Sequence, residues 1–147
     1  MSSRPKPKNV TEHTADGRPR RVLVADDDTD VCALLEVALA PLAAVTTVHD
    51  AETALELVAS EPAYDVIVSD FMLPGIDGVE FVQRVRHGSW SPDVSILMIS
   101  GHGDDVVGER ARAAGVDAFL DKPFTLSQLR AEVRKLLVLP SQHHHCA

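Results

Sequence analysis

The sequence has few cysteines, few aromatic residues and no long apolar run. Its two cysteines, Cys32 and Cys146, are too few for a disulfide framework. No apolar stretch approaches the roughly 18 residues that a membrane-spanning helix needs. The basic residues near the N-terminus are not followed by an apolar stretch, so no secretory signal is predicted. We therefore expect a cytoplasmic protein with no membrane partner.

Clustered positive charge is also missing outside the first 20 residues. The formal net charge is −8, of which residues 1–20 carry +3 and the remainder carries −11. Such an acidic body argues against binding to a phosphate backbone, so no nucleic-acid partner is expected. The Pro, Lys and Ser content of residues 1–20 predicts a disordered basic extension, although it could also contact an acidic surface.

The 147 residues, 45% of them hydrophobic, are enough for one domain with a core. Short apolar runs alternate with segments of helical periodicity from residue 21 onward. The predicted strands are 21–26, 44–49, 64–70, 93–100 and 117–120; the predicted helices lie between 28 and 41 and at 51–60, 78–87, 104–114 and 125–138. This alternation indicates an α/β fold, a flavodoxin-like doubly wound parallel sheet of order 2-1-3-4-5. We expect one domain over 21–139 and a flexible tail over 140–147.

Two of the predicted helices carry specific expectations. In the first helix, Asp28 or Thr29 can cap the N-terminus, and Cys32 borders the apolar face as a packed rather than a reactive thiol. That apolar face, spaced at i, i+3, i+4, i+7 and i+8, consists of Val31, Leu34, Leu35, Ala38 and Leu39. The fourth helix is expected to be interrupted by Gly108 and ended by Gly115.

Carboxylates crowd the end of the first predicted strand, in the stretch "VLVADDDTD" (22–30). Asp26 and Asp27 end this strand and Asp70 ends the third, its neighbour in the predicted order. The three carboxylates would raise one another's pKa values unless a cation lay between them. Mg²⁺ suits a few carboxylates combined with waters and a phosphate. A solvated acidic loop is the alternative for either cluster alone, but two clusters at neighbouring strand ends favour the metal.

The same edge of the sheet carries the groups that phosphoryl chemistry needs. The Asp70 carboxylate is a weak nucleophile that can attack a phosphoryl group whose negative charge is neutralised. A magnesium ion, the Lys122 ammonium and the Ser100 hydroxyl would together hold an aspartyl phosphate.

Four motifs in order and spacing resemble one protein family. They are "VLVADDD", "VIVSDFMLPGIDG", "ILMISGHGD" and "FLDKPF". This set is similar to the receiver domains of bacterial two-component response regulators, over about residues 21–139. The resemblance implies that Asp70 is the phosphoacceptor, phosphorylated by a sensor histidine kinase or a phosphotransfer protein.

The resemblance also assigns the other site residues. Magnesium would be bound by Asp27, Asp70 and the backbone carbonyl of Met72, with Asp26 acting through water. Ser100 would be the switch hydroxyl, Phe119 the switch aromatic and Lys122 the phosphate-pairing lysine. In such domains the bond between Lys122 and Pro123 is cis. Phe119 stands where Tyr is frequent, and Gly101 follows Ser100 where Ala is commoner.

These residues predict a single-domain response regulator of a two-component phosphorelay, a phosphoprotein that carries 4-aspartylphosphate. It would not be an enzyme beyond phosphorylation and dephosphorylation of its own Asp70. Phosphorylation would change the surface of the fourth helix, fifth strand and fifth helix, where an unknown protein target or a second copy would bind.

Three other functions compete with this prediction. The chain could be a receiver fragment of a larger regulator or of a hybrid kinase. It could be a small aspartate-nucleophile phosphatase resembling the haloacid dehalogenase family, although the D-x-D-x-[TV] motif of such enzymes would need Thr or Val at position 30, where this chain has Asp30. A phosphorylation-independent adaptor is the third, and the complete set of site residues argues against it.

Overall fold

The computed structural model describes residues 17, 19–60, 63–88, 93–101 and 105–138, with only the backbone for 105–107. Within these ranges strands and helices alternate along the chain. The strands are β1 (Arg21–Ala25), β2 (Ala44–Val48), β3 (Val66–Asp70), β4 (Ser95–Ser100) and β5 (Ala118–Asp121). The helices are α1 (Thr29–Leu39), α2 (Ala51–Val58), α3 (Gly78–Gly88), α4 (Asp105–Ala114) and α5 (Leu126–Val138). No helix in the described part of the chain is long and apolar enough to cross a membrane.

The five strands form one parallel sheet in the order β2-β1-β3-β4-β5. This confirms the predicted doubly wound fold and its order 2-1-3-4-5. Because all strands run in the same direction, their carboxyl ends lie at one edge of the sheet. The connections that follow β1, β3, β4 and β5 meet at this edge.

The sheet is buried on both faces, which explains why β3 and β4 read as continuous apolar runs. Alternate residues of β1 point to opposite sides, Leu23 toward α2 and α3 and Val22 toward α1 and α5. The largest fully buried side chain on the side of α2 and α3 is Phe81 of α3, which packs against the sheet. The two layers hold the sheet, and therefore its carboxyl edge, in a fixed position.

The buried face of α1 differs from the prediction by one position. Leu34 was expected to point inward, but it is 56% exposed, whereas Cys32 is buried, as expected for a packed thiol. The stripe that packs on the sheet consists of Cys32, Leu35, Ala38 and Leu39. Successive helical residues are about 100° apart, so Cys32 and Leu34 lie at opposite borders of the apolar face, and a small rotation of the helix buries one and exposes the other. Asp28 caps this helix, as expected, by accepting a hydrogen bond from the Asp30 amide at 2.9 Å.

The expected interruption of α4 at Gly108 is wrong, because the helix runs through that residue without a break. Ala111 of the same helix is fully buried against the sheet. Burial of this face offsets the cost of glycine inside a helix, about 1 kcal/mol. Gly115 ends α4 as predicted, and it takes a positive φ of 120° that an L-residue with a side chain rarely adopts. The predicted N-terminal extension lies outside the described residues except for its last few, and the tail over 140–147 lies outside them completely.

Candidate functional site

Three carboxylates meet at the carboxyl edge of the sheet. Asp26 and Asp27 follow the last residue of β1, and Asp70 is the last residue of the adjacent strand β3. One oxygen of each carboxylate lies within 4.8 Å of an oxygen of the other two. This confirms that the three acids converge, since separations of that size allow all of them to contact one ion.

The Asp26 carboxylate is buried, and only one of its oxygens has a hydrogen-bond partner within the described structure. It is only 2% exposed, and its Oδ1 accepts a hydrogen bond from the Asp28 amide at 2.9 Å. Its Oδ2 is buried and has no hydrogen-bond partner within the described structure. Burial raises the pKa of this carboxyl, and the nearby charge of Asp70 adds to the increase. A buried oxygen without a partner beside two further carboxylates fits a hard divalent cation.

Asp70 is held by contacts to both of its oxygens. Its Oδ2 lies 2.8 Å from the Lys122 ammonium, and its Oδ1 accepts a hydrogen bond from the Met72 amide at 2.9 Å. The hydrogen bond to Asp70 raises the pKa of Lys122, so this lysine stays charged at neutral pH. The carboxylate thus contacts an ammonium through one oxygen and a backbone amide through the other, and it lies beside the two acids that follow β1.

Lys122 reaches Asp70 because the chain after β5 is tied to the end of β4. The Lys122 amide donates to the carbonyl oxygen of Ser100 at 2.9 Å, and the bond between Lys122 and Pro123 is cis, as the resemblance implied. Ser100 is buried at the end of β4 and pairs in register with Asp121. The structure therefore brings Ser100 and Lys122 to the same edge as Asp70.

Phe119 lies on β5, half-buried against the same layer as α4. The Arg112 guanidinium of α4 lies 4.9 Å from the centre of its ring, a separation typical of a cation–π contact. Sequence reasoning singled out Phe119 but not Arg112, because nothing in the local pattern marks an exposed helical arginine as a ring contact. The contact joins α4 to the residue expected to act as the switch aromatic.

Met72 occupies the turn that follows β3. Its side chain is exposed, and its backbone forms an isolated antiparallel bridge with Asp77. Asp77 in turn caps α3 by accepting a hydrogen bond from the Glu80 amide at 2.8 Å. The turn thus has a defined shape, and its use of the Met72 carbonyl as a metal ligand stays a prediction.

A cysteine and a histidine lie directly behind the acids of β1. The Sγ of Cys32 lies 3.3 Å from the carbonyl oxygen of Asp26, and Nδ1 of His49 lies 3.2 Å from the same oxygen. The two side chains also approach each other, with 3.6 Å between Sγ and Nδ1. No local pattern in the sequence predicts this contact, because Cys32 lies on α1 and His49 follows β2.

The buried Cys32 thiol is expected to be unreactive. Burial raises its pKa, which lowers the thiolate fraction at neutral pH, and access is also blocked. In a Cys146→Ser background, we expect Ellman's reagent to react with native protein at least about 100-fold more slowly than with urea-unfolded protein. Equal rates in the two states would contradict the buried position, and a Cys32→Ser, Cys146→Ser double variant gives the blank.

A comparison with known proteins agrees with this geometry. The family model described as the response regulator receiver domain matches residues 22–134. A probable chemotaxis protein CheY of Rhizobium etli is 30% identical over 115 residues, which cover 77% of this chain and 88% of that protein. The response regulator MprA of Mycobacterium ulcerans is 39% identical over 120 residues, 80% of this chain but 50% of that protein.

Solved structures show the same fold. The chemotaxis response regulator CheY4 of Vibrio cholerae superposes with a TM-score of 0.73 at 30% identity, covering 80% of this chain and 98% of that one. A sheet of this order with three acids and a lysine at its carboxyl edge defines a receiver domain. The chain belongs to the response regulator receiver family. It spans most of the CheY relative but about half the length of the other curated relatives that it matches.

Proposed function

We propose that this protein is a stand-alone response regulator that accepts a phosphoryl group on Asp70. The donor would be the phosphohistidine of a sensor kinase or of a phosphotransfer protein. The contact between Lys122 Nζ and Asp70 Oδ2, close to the acids that follow β1, carries the proposal. It supports the proposal because an ammonium beside the attacking carboxylate could bind a phosphoryl oxygen.

The proposed step forms a bond between a carboxylate oxygen of Asp70 and phosphorus while the phosphorus–nitrogen bond of the donor histidine breaks. The imidazole leaves with the electron pair of that bond. Lys122 would shift its hydrogen bond from the carboxylate to a phosphoryl oxygen, and the Ser100 hydroxyl would bind another. Later hydrolysis of the acyl phosphate would release inorganic phosphate and restore Asp70. We propose no reaction beyond this phosphorylation and dephosphorylation of Asp70.

Magnesium is the cation that we propose for the three carboxylates. Asp27, Asp70 and the carbonyl of Met72 would hold it directly, and Asp26 would contact it through water. It would neutralise the carboxylates and the incoming phosphoryl oxygens. The orphaned Oδ2 of Asp26 and the raised pKa of that group support a site that is incomplete without a cation.

We further propose that the output surface is formed by α4, β5 and α5. Ser100 and Phe119 lie on β4 and β5, so a shift at the phosphoryl group reaches α4 through the Arg112–Phe119 contact. A downstream protein or a second copy of the chain would bind there, in the cytoplasm, with no nucleic acid or membrane involved. The folded unit in this proposal is 21–139, flanked by the basic extension and the tail.

One observation favours a second candidate. The chain matches about half of several curated regulators, so a receiver that is part of a larger protein would fit those matches equally well. The chemistry proposed for Asp70 is the same in both cases. Only the output partner differs.

Labelling with acetyl phosphate tests the proposed chemistry. We expect incorporation of about one phosphoryl group per chain with Mg²⁺, and a reduction of at least about 100-fold in Asp70→Asn, which lacks the nucleophilic oxygen. Asp121→Asn, an exposed acid of β5 at the same edge, should label normally. Unchanged labelling in Asp70→Asn, or labelling indifferent to a magnesium chelator, would contradict the proposal.

A further inference from the structure

A groove separate from the carboxylate site lies between α2 and the connection from β3 to α3. Its volume is about 640 Å³. One wall is the exposed side of α2, and the other is formed by Pro74, Gly75 and Ile76 together with Arg84 of α3. The wall formed by this connection begins four residues after Asp70, so an occupant of the groove would contact the segment that follows Asp70.

The floor of the groove is apolar and shallow. Leu55 and Ile76 are partly buried and pack against the core. Ala51 at the start of α2 and Ala59 at its C-cap add small side chains about one turn before and one turn after Leu55. Such a surface suits proline rings and the aliphatic stems of lysine or arginine, which cover apolar area while their charged ends stay at the rim.

The rim of the groove is acidic. Three carboxylates border it, those of Asp50, Glu52 and Glu56. Asp50 caps α2 by accepting a hydrogen bond from the Thr53 amide at 2.7 Å, and that bond lowers its pKa, so it stays ionised. The cation on the opposite wall, Arg84, lies 2.5 Å from Glu80 and is neutralised by it. The groove therefore complements a positively charged ligand.

This chain carries a matching segment. Residues 4–8 read Arg-Pro-Lys-Pro-Lys, and the first ten residues contain no acidic residue. Because proline has a fixed φ, a sequence with alternating prolines loses less conformational entropy on binding than one without them. It therefore combines three positive charges with two apolar rings, the pattern that an acidic rim over an apolar floor requires.

The start of β1 places this segment within reach. The Arg21 guanidinium donates to the carbonyl oxygen of Ala63 at 3.2 Å and lies 4.2 Å from the centre of the Tyr64 ring. The chain therefore enters β1 next to the residues that follow α2, at the Ala59 end of the groove. The eight residues of α2 are about 12 Å long, and an extended chain spans about 3.3 Å per residue. The residues before β1 are more than long enough to follow the groove.

We propose that the basic segment Arg4–Lys8 binds in this groove of its own chain. The cationic side chains pair with Glu52, Glu56 and Asp50, and the prolines cover Leu55 and Ile76. The connection makes the segment's effective concentration millimolar, so contacts too weak to hold a free peptide keep it bound. The charges lie near solvent, so the contact weakens as ionic strength rises. This inference goes beyond the proposed phosphorylation and does not depend on it.

Paramagnetic broadening tests the proposal. A spin label is attached to a Ser3→Cys, Cys146→Ser variant of the full chain, whose remaining cysteine, Cys32, is buried. At low salt we expect the amide signals of α2 and of Gly75 and Ile76 to lose at least about half their intensity. The loss should be reversed by about 0.5 M NaCl, at which the screening length falls to a few ångströms.

Charge variants provide the matched control. Glu52→Gln combined with Glu56→Gln should restore most of the lost intensity, whereas Glu36→Gln combined with Glu109→Gln, exposed acids of α1 and α4, should not. The proposal is overturned if broadening is absent, if it centres on another surface, or if both double variants behave alike. Equal broadening when spin-labelled protein without isotope enrichment is mixed with enriched, unlabelled protein also overturns it, because the occupant is then a second molecule.

Discussion

Asp26→Asn is expected to raise the melting temperature of the magnesium-free protein and to remove most of the further increase that Mg²⁺ produces in the parent. The buried Asp26 carboxyl has a raised pKa, so its charged form destabilises the fold. Asparagine keeps an oxygen for the Asp28 amide and removes the charge. We expect a gain of about 1–2 kcal/mol, roughly 4–8 °C in a domain of this size.

The raised pKa of Asp26 determines how the stability advantage of Asp26→Asn changes with pH. A carboxyl whose pKa is higher in the folded state costs stability above that pKa and costs nothing below its unfolded value. The advantage of Asp26→Asn should therefore be complete at neutral pH and disappear as acid protonates Asp26 in the parent. An advantage that grew on acidification would contradict the assigned cause.

Magnesium should act differently on the two proteins. At a concentration 100 times the dissociation constant, a ligand that binds only the folded state adds about 2.7 kcal/mol of stability. The parent should show this increase, and Asp26→Asn should show much less. Asp30→Asn removes a carboxylate from the first turn of α1, where it favours the helix, and should lower stability slightly while leaving the magnesium effect intact. Thermal unfolding followed by circular dichroism, with and without Mg²⁺, measures these effects for the parent, Asp26→Asn and Asp30→Asn.

Arg86→Met is expected to destabilise the protein by about 3–5 kcal/mol, the usual cost of removing one partner of a buried ion pair. Arg86 is 10% exposed and lies 3.0 Å from the Asp117 carboxylate, which is 3% exposed. The guanidinium also donates to the carbonyl oxygens of Val94 and Gly115. One side chain thereby joins α3 to the start of β4 and to the turn before β5.

The loss would be large because the Asp117 carboxylate would stay buried without the guanidinium that contacts it in the parent. The Ile96 amide would still donate to it at 2.8 Å. Arg84→Met is the matched control on the same helix, since Arg84 is 56% exposed and its pair with Glu80 should contribute less than about 1 kcal/mol. Adding Asp117→Asn to Arg86→Met should recover part of the loss. Urea unfolding that gave equal effects for the two arginines would contradict the argument.

Much of the fold could be predicted because it depends on period and order along the chain. Alternating strand and helix patterns with short connections allow few topologies, and a parallel sheet sends its strand ends to one edge. That is enough to bring Asp26, Asp27 and Asp70 together before any coordinates are known. The position of Lys122 after the last strand follows from the same rule.

The faces of the helices were less predictable. Leu34 and Cys32 lie at opposite borders of the apolar face of α1. The packing of this helix against β1 and α5 buries Cys32 and leaves Leu34 exposed. Gly108 weakens α4 locally, yet the burial of Ala111 keeps the helix continuous. In both cases packing against another element adds an energy that the local pattern does not contain.

The sequence by itself determined the class of fold, the order of the strands and the convergence of three carboxylates, because these follow from hydrophobic period and chain connectivity. Only the tertiary structure decided which atoms meet: Lys122 on one oxygen of Asp70, His49 behind Asp26, Arg86 on Asp117. Those contacts join residues 23 to 52 positions apart in the chain. They form only after the packing of whole helices and strands has brought the two backbones close enough for the side-chain atoms to reach hydrogen-bonding distance.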